Sequence, residues 1–334
     1  MSRPAFVKLT SVVCSGLILF VVGLAPQKIA AQQLLPFNGF DVAMGLIELA
    51  DIYYGIPDRD GIPAIDEPRF LAGAARDGQL AKNARVLAVN HNGVAKAYPI
   101  AILDQHEIVN DQFAGKPLLI TFCPLCGTGM VFTADVGGKT LSFGVSGLLY
   151  NSDVLLYDRN TESLWSQVMK TAVTGPLKGT KLVQVPAQYT TWGRWLEQYP
   201  DSLLLSQETG YSRDYGADVY HDYKRLPVVM FPTTHQDFRL PAKTWVLGLT
   251  VGAAALALPF EQMDKLDIPL TVEVGGASLQ VRWDRQSSSA VVVDAQGSEV
   301  PATAGYWFAW VAFHPDTGLY PEPGSSVSTT AGQG

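Results

Sequence analysis

Cys123 and Cys126 stand three positions apart at the corner of Lys116–Phe132, KPLLITFCPLCGTGMVF. Thiols at that spacing can exchange disulfides with a partner, one thiolate attacking and the other resolving. They can also grip one metal ion, or close on each other as an inert disulfide that persists in an oxidising compartment. The redox reading leads, with His106 as proton donor or orienting group.

The metal reading is the alternative. Cys-Pro-x-Cys-Gly resembles the metal knuckle of rubredoxins and zinc ribbons, and a closed zinc site needs four ligands. The chain has no second Cys-x-x-Cys, so His106, His235 or His314 would complete the set. Two thiolates favour copper(I) or zinc. A binding or scaffold module with an inert disulfide is the third reading.

Other polar groups surround this centre in the sequence. Ile100–Val109 reads as a short helix, which would put His106 and Asn110 on one face. That helix leads through one loop into the cysteine strand, so the His106 ring is expected within about 5 Å of a sulfur. Glu107 lies beside it. The block Tyr150-Asn151-Ser152-Asp153 and Tyr157-Asp158-Arg159 is dense in polar side chains. Asp158 and Arg159 are expected to form an internal ion pair, with a charged ligand as the sharper alternative. Trp165 reads as core, or as a pocket wall. His314 sits among Trp307, Phe308, Trp310 and Phe313 and reads as packing, less close to the thiols than His106.

The elements that carry these residues are mostly strands. Leu118–Phe122 is an apolar run of buried-strand type, and Met130–Thr133 follows as a second. Gly127 suits the corner between them, where φ > 0 is often needed. Val86–Val89, Asn92-Gly93 and Val94–Tyr98 have the form of a tight hairpin. Met44–Tyr53 and Trp192–Tyr199 read as short helices, and Gln207–Arg225, rich in Tyr, as a long surface loop. Segments also resemble one another. RVLAVNHNGVAKAYPIAIL from Arg85 lines up with WVLGLTVGAAALALPFEQM from Trp245, and the cysteine segment with ASLQVRWDRQSSSAVVV from Ala277. VLLYDRNT from Val154 resembles WVAFHPDT from Trp310. In this register Cys123 meets Asp284 and Cys126 meets Ser287, so the scaffold itself does not demand the thiols. The expected fold is a β-rich α+β protein of two related units packed together, 32–225 with the cysteines and 226–323 without them.

Composition narrows the function. Apolar residues make up 47% and charged residues 16%, enough for a core. The formal charge of −7 and the lack of a basic patch argue against nucleic acid as partner. Residues 1–31 follow a secretory pattern: Arg3 and Lys8, an apolar run Val12–Leu24, then Ala30-Ala31. The run is short of the ~20 residues a spanning helix needs. A periplasmic or secreted protein without a transmembrane helix is therefore expected, with a disordered tail over 324–334. No phosphate-binding glycine loop or Gly-x-Ser-x-Gly elbow is present.

Four segments together resemble the family known as domain of unknown function 3179: HEIVND (His106–Asp111), TFCPLCGTGMVF (Thr121–Phe132), FGVSGLLYNSDVLLYDRNTESLWSQ (Phe143–Gln167) and FAWVAFHP (Phe308–Pro315). The resemblance implies an exported bacterial or archaeal protein with no settled activity. Members are sometimes named as selenoprotein candidates, which implies a redox-active cysteine. The partner would be a small molecule or a redox protein; neither its identity nor the oligomeric state follows from these residues.

Overall fold

The computed structural model describes residues 37–321. The segments read as signal peptide (1–31) and tail (324–334) lie outside them. Among the described residues no helix is long and apolar enough to cross a membrane.

The hairpin Arg85–His91/Val94–Pro99 shows how the sheets are built. Asn92 and Gly93 both take positive φ, 51° and 75°, as a two-residue turn matched to strand twist requires. Val86–Val89 are buried consecutively, which is why they read as an unbroken apolar run and not as an alternation. Further strands then arrive from elsewhere. Gln188–Thr191 pairs antiparallel with Arg85–Ala88, and Leu203–Leu205 pairs parallel with the Lys96–Ala97 stretch.

Five such sheets form the blades of a β-propeller. The cysteine segment gives the core of one, in the order Gln184–Val185, Thr128–Thr133, Lys116–Cys123, Ile108–Phe113. Its neighbour holds Ile52–Tyr54, Phe143–Tyr150, Asp153–Asp158, Leu164–Ser166 and Thr171–Ala172. The last two centre on Trp245–Val251/Ala254–Pro259 and on Ala277–Asp284. The Cys123–Cys126 corner lies in the apolar cluster shared by the first two of these sheets, with Phe132, Phe143, Leu156 and Trp165.

This corrects the two-unit α+β expectation. The fold is mainly β, and among the described residues the longest of the few α-helices, such as Ile100–His106 and Trp307–Phe313, run seven residues. The resemblance between hairpins is real in register: Val86 opposes Pro99 as Val246 opposes Pro259. Each hairpin, however, is the middle of its own blade, completed by edge strands from distant sequence. The third alignment fails outright, because Val154–Asp158 is strand and Trp310–Phe313 is helix. Two shorter readings change as well. The helix from Ile100 stops at His106, because Glu107 turns to φ 58° and Ile108–Phe113 enters a sheet. Met44–Tyr53 contains only the 3-10 turn Leu49–Asp51 and part of the strand Ile52–Tyr54.

Candidate functional site

Cys123 ends its strand opposite Thr128, so the corner projects from the end of the hairpin. Gly127 takes φ +67°, and a Cβ there would stand 2.8 Å from the Trp245 ring. Only glycine meets both demands without displacing its neighbour. Other parts of the chain fasten the corner: the Tyr306 amide donates to the Cys126 carbonyl at 2.8 Å, and the Tyr223 hydroxyl donates to the Leu125 carbonyl at 2.9 Å.

A second turn supplies what faces the thiols. Asn151 and Ser152 both adopt positive φ, 54° and 66°, between the strands Phe143–Tyr150 and Asp153–Asp158. The Ser152 carbonyl accepts from Cys126 Sγ at 3.2 Å, with Cys123 Sγ at 3.8 Å. The next residue is Asp153. One oxygen of its carboxyl and both sulfurs lie within 4.8 Å of one another, and all three residues are buried. The cysteines are not bonded to each other. Asp153 Oδ1 sits 3.2 Å from the Thr128 hydroxyl, whose single proton is also offered to Gln167 Oε1 at 2.8 Å. Asp153 Oδ2 and Ser152 Oγ are buried and meet no donor or acceptor in full hydrogen-bond geometry.

The electrostatics are one-sided. Burial pushes the Asp153 carboxyl up to about 7, although the nearby thiols, the Thr128 hydroxyl and the Val168 backbone each hold it down in part. Burial, then Asp153 and Asp104, push Glu107 up to about 8. Both thiols are raised, first by burial and further by the Asp153 charge. Removing charged forms from water has this effect when no cation compensates. The pocket thus favours protons or a positive ion. Glu107 borders a cavity of about 100 Å³ shared with Leu125, Tyr220, Met230 and Phe231.

The structure distributes the other sequence candidates differently. Both nitrogens of His106 are taken, Nδ1 by the Pro63 carbonyl at 2.7 Å and Nε2 by the Tyr215 hydroxyl at 2.6 Å. Burial lowers its pKa. His106, His235 and His314 are all absent from the group of ligand atoms formed by Cys123, Cys126 and Asp153. Asn110 is on a strand and ties two blades together, donating to the Phe143 carbonyl and accepting its amide. Asp158 and Arg159 do not pair with each other. Asp158 accepts from Trp165 Nε1 at 2.9 Å and from Thr161, while Arg159 pairs with Asp66 and Asp60. Trp165 is core, fully buried. His314 packs on Trp310 with ring centres 4.1 Å apart, and burial lowers its pKa to about 4. Sequence reasoning named the polar block containing Asp153 without selecting it. The available signal was Asn151-Ser152, a pair suited to a tight hairpin turn, which places Asp153 at the start of the returning strand.

The family model for the protein of unknown function DUF3179 matches residues 59–317. This chain belongs to the DUF3179 family. The matched span contains the Cys corner, the Asn151-Ser152 turn, Asp153 and the aromatic helix Trp307–Phe313, so the whole site falls inside the DUF3179 region. No curated protein and no solved structure matches the chain.

Proposed function

We propose that this DUF3179 protein is an exported metal-binding protein whose centre is Cys123, Cys126 and Asp153, and whose metal is zinc. The observation that carries this reading is the buried cluster itself: an Asp153 carboxyl oxygen and two free thiols within 4.8 Å of one another, with Oδ2 outside full hydrogen-bond geometry. A buried carboxylate oxygen without a partner costs free energy that a cation would recover. Two sulfurs and one oxygen suit borderline zinc better than copper(I), which prefers an all-soft set. Three side-chain ligands are also the number found where zinc keeps a position for water or substrate. The secretory pattern of residues 1–31 supports an address outside the cytoplasm.

Thiol–disulfide chemistry is supported less well. The attacking species is a thiolate, and here both thiols are buried and raised. Zinc would reverse that balance, since a bound divalent cation deprotonates the groups that hold it.

Elemental analysis of the mature protein and zinc titration of the chelated, reduced form test the reading. One zinc per chain is expected in wild type and none in Asp153→Ala or in Cys123→Ser/Cys126→Ser. Failure of the reduced wild type to take up zinc below about 1 μM, where structural sites are saturated, would discard it. A measured dithiol potential above about −300 mV in that metal-free protein would instead restore the redox reading.

A further inference from the structure

A second site lies behind the Cys corner. A cavity of about 460 Å³ is lined by Phe122, Pro124 and Gly127 from the back of the corner, and by Tyr189, Trp245 and Tyr306 from three other strands. We propose that this cavity is a saccharide-binding site for one or two pyranose rings. The proposal is independent of the metal reading and does not use the thiols.

Its walls combine two chemistries. The first is aromatic: Trp245 lies between Tyr189, stacked at 4.8 Å and 20°, and Tyr306, tilted at 4.8 Å and 59°. The second is a chain of charges. Lys224 Nζ bridges Asp104 Oδ2 at 2.8 Å and Asp218 Oδ1 at 2.9 Å, and all three residues line the cavity. Asp104 is 95% buried, and its other oxygen, Oδ1, has no partner. Arg85 also reaches the cavity, but its guanidinium is engaged with the Ser287 and Ser288 carbonyls.

These features select a ligand class. The charges along the lining, two carboxylates with a lysine and an arginine, balance, which disfavours a strongly anionic or cationic guest. A neutral ring with an apolar C–H face suits aromatic walls, and its hydroxyls both donate to Asp104 and accept from Lys224. The volume falls within the usual range for small-molecule sites, which are mostly apolar walls with a few fixed polar groups. A sugar meets each of these conditions, whereas a purely apolar guest would cover the Lys224–Asp218 end of the lining and remove its water without replacing the hydrogen bonds.

Calorimetry and ligand-observed NMR on the full mature chain test the proposal, using glucose, galactose, mannose, N-acetylglucosamine, maltose and cellobiose, with tetramethylammonium as a cationic probe. At least one sugar is expected to bind with a dissociation constant of about 10 mM or lower, quenching or enhancing Trp fluorescence. Asp104→Asn keeps the shape of the side chain and should weaken that sugar by about tenfold or more, as loss of a hydrogen bond to a charged group does. Ala217→Trp, which fills the cavity from an exposed position, should abolish binding, while Phe238→Ser, away from the cavity, should leave it unchanged. Absence of binding by every sugar up to about 100 mM, or equal binding by wild type, Asp104→Asn and Ala217→Trp, would overturn the assignment. So would binding of tetramethylammonium with no response to any sugar.

Discussion

The corner at Cys123–Thr128 and the corner at Asp284–Ser289 have the same plan and opposite chemistry. In each, the last residue of one strand faces the first of the next across four intervening residues, Cys123 to Thr128 and Asp284 to Ser289. The second corner satisfies itself. Asp284 accepts from the Gln286 amide at 3.0 Å and from Ser287 Oγ at 2.8 Å, and Arg194 Nε adds a third bond at 2.6 Å. At the first corner the thiols replace the groups that would perform this local capping, and they point instead at a carbonyl and a carboxyl from another blade. The fifth position differs in the same sense. Gly127 is confined by Trp245, whereas Ser288 holds φ +43° with a side chain in place. One corner is built to close a hairpin; the other depends on its surroundings and turns both sulfurs toward groups of another blade.

Substitution at that fifth position should separate the corners most. Gly127→Ser combines a positive-φ penalty with a clash against Trp245 and should cost about 3 kcal/mol in urea unfolding. Ser288→Gly should change stability by about 0.5 kcal/mol or less; equal effects would mean that Trp245 does not confine the first corner. Next in size is the pH response of the acidic surroundings. Glu107 is raised to about 8, so its neutral form contributes stability that is whole below about pH 4.5 and is lost as pH rises through 8. In chelated protein Glu107→Gln should therefore be more stable than wild type at pH 9, by about 2–3 kcal/mol, and similar to it at pH 4. A gain that does not depend on pH would sink this account.

The cysteines themselves come third. Metal-free Cys123→Ser/Cys126→Ser should unfold cooperatively with a loss of about 2 kcal/mol or less, because the second corner makes the same turn without sulfur; an unfolded double variant would show that the thiols are structural. The smallest effect belongs to Asp284. Burial raises its pKa, but Arg194, Ser287 and the Gln286 amide more than offset this and leave it lowered. Its stabilisation is present above the ordinary carboxylate range and is lost as pH falls through the lowered value. This partly exposed pair is screened, so Asp284→Asn should cost about 0.5 kcal/mol at pH 7 and nothing near pH 2.

The sequence showed the hairpins and the thiols, and it did so for local reasons. Asn92-Gly93 and the apolar runs beside it are complete signals within fifteen residues. The blades were not visible because many of the strands that complete them have only two to four residues, such as Gln184–Val185 and Leu203–Leu205, too short to show a period. Their pairing is fixed only by what they pack against. Glu107 and His106 are adjacent in the sequence and part company in the fold. The helix does deliver His106 toward the cysteine strand, but Glu107 reverses the backbone there, and Tyr215 from the 207–225 segment claims the ring. That segment reads as a loop and mostly is one, yet Tyr215 and Tyr223 are buried under it. No local pattern announces such long-range contacts. Asp153 is the same case from the other side: an ordinary hairpin residue until a second blade brings two sulfurs to it.

The bond from the Tyr306 amide to the Cys126 carbonyl, together with Trp245 against Gly127, sets an order of events in the making of the fold. The thiols emerge early, yet the strand that closes over them is synthesised about 180 residues later, at rates of about 5–20 residues per second. For that interval the dithiol is accessible to oxidants and to metal alike. On the metal reading proposed above, an ion that reaches the dithiol in that interval is enclosed with it, and occupancy then records the environment in which the last blade was added.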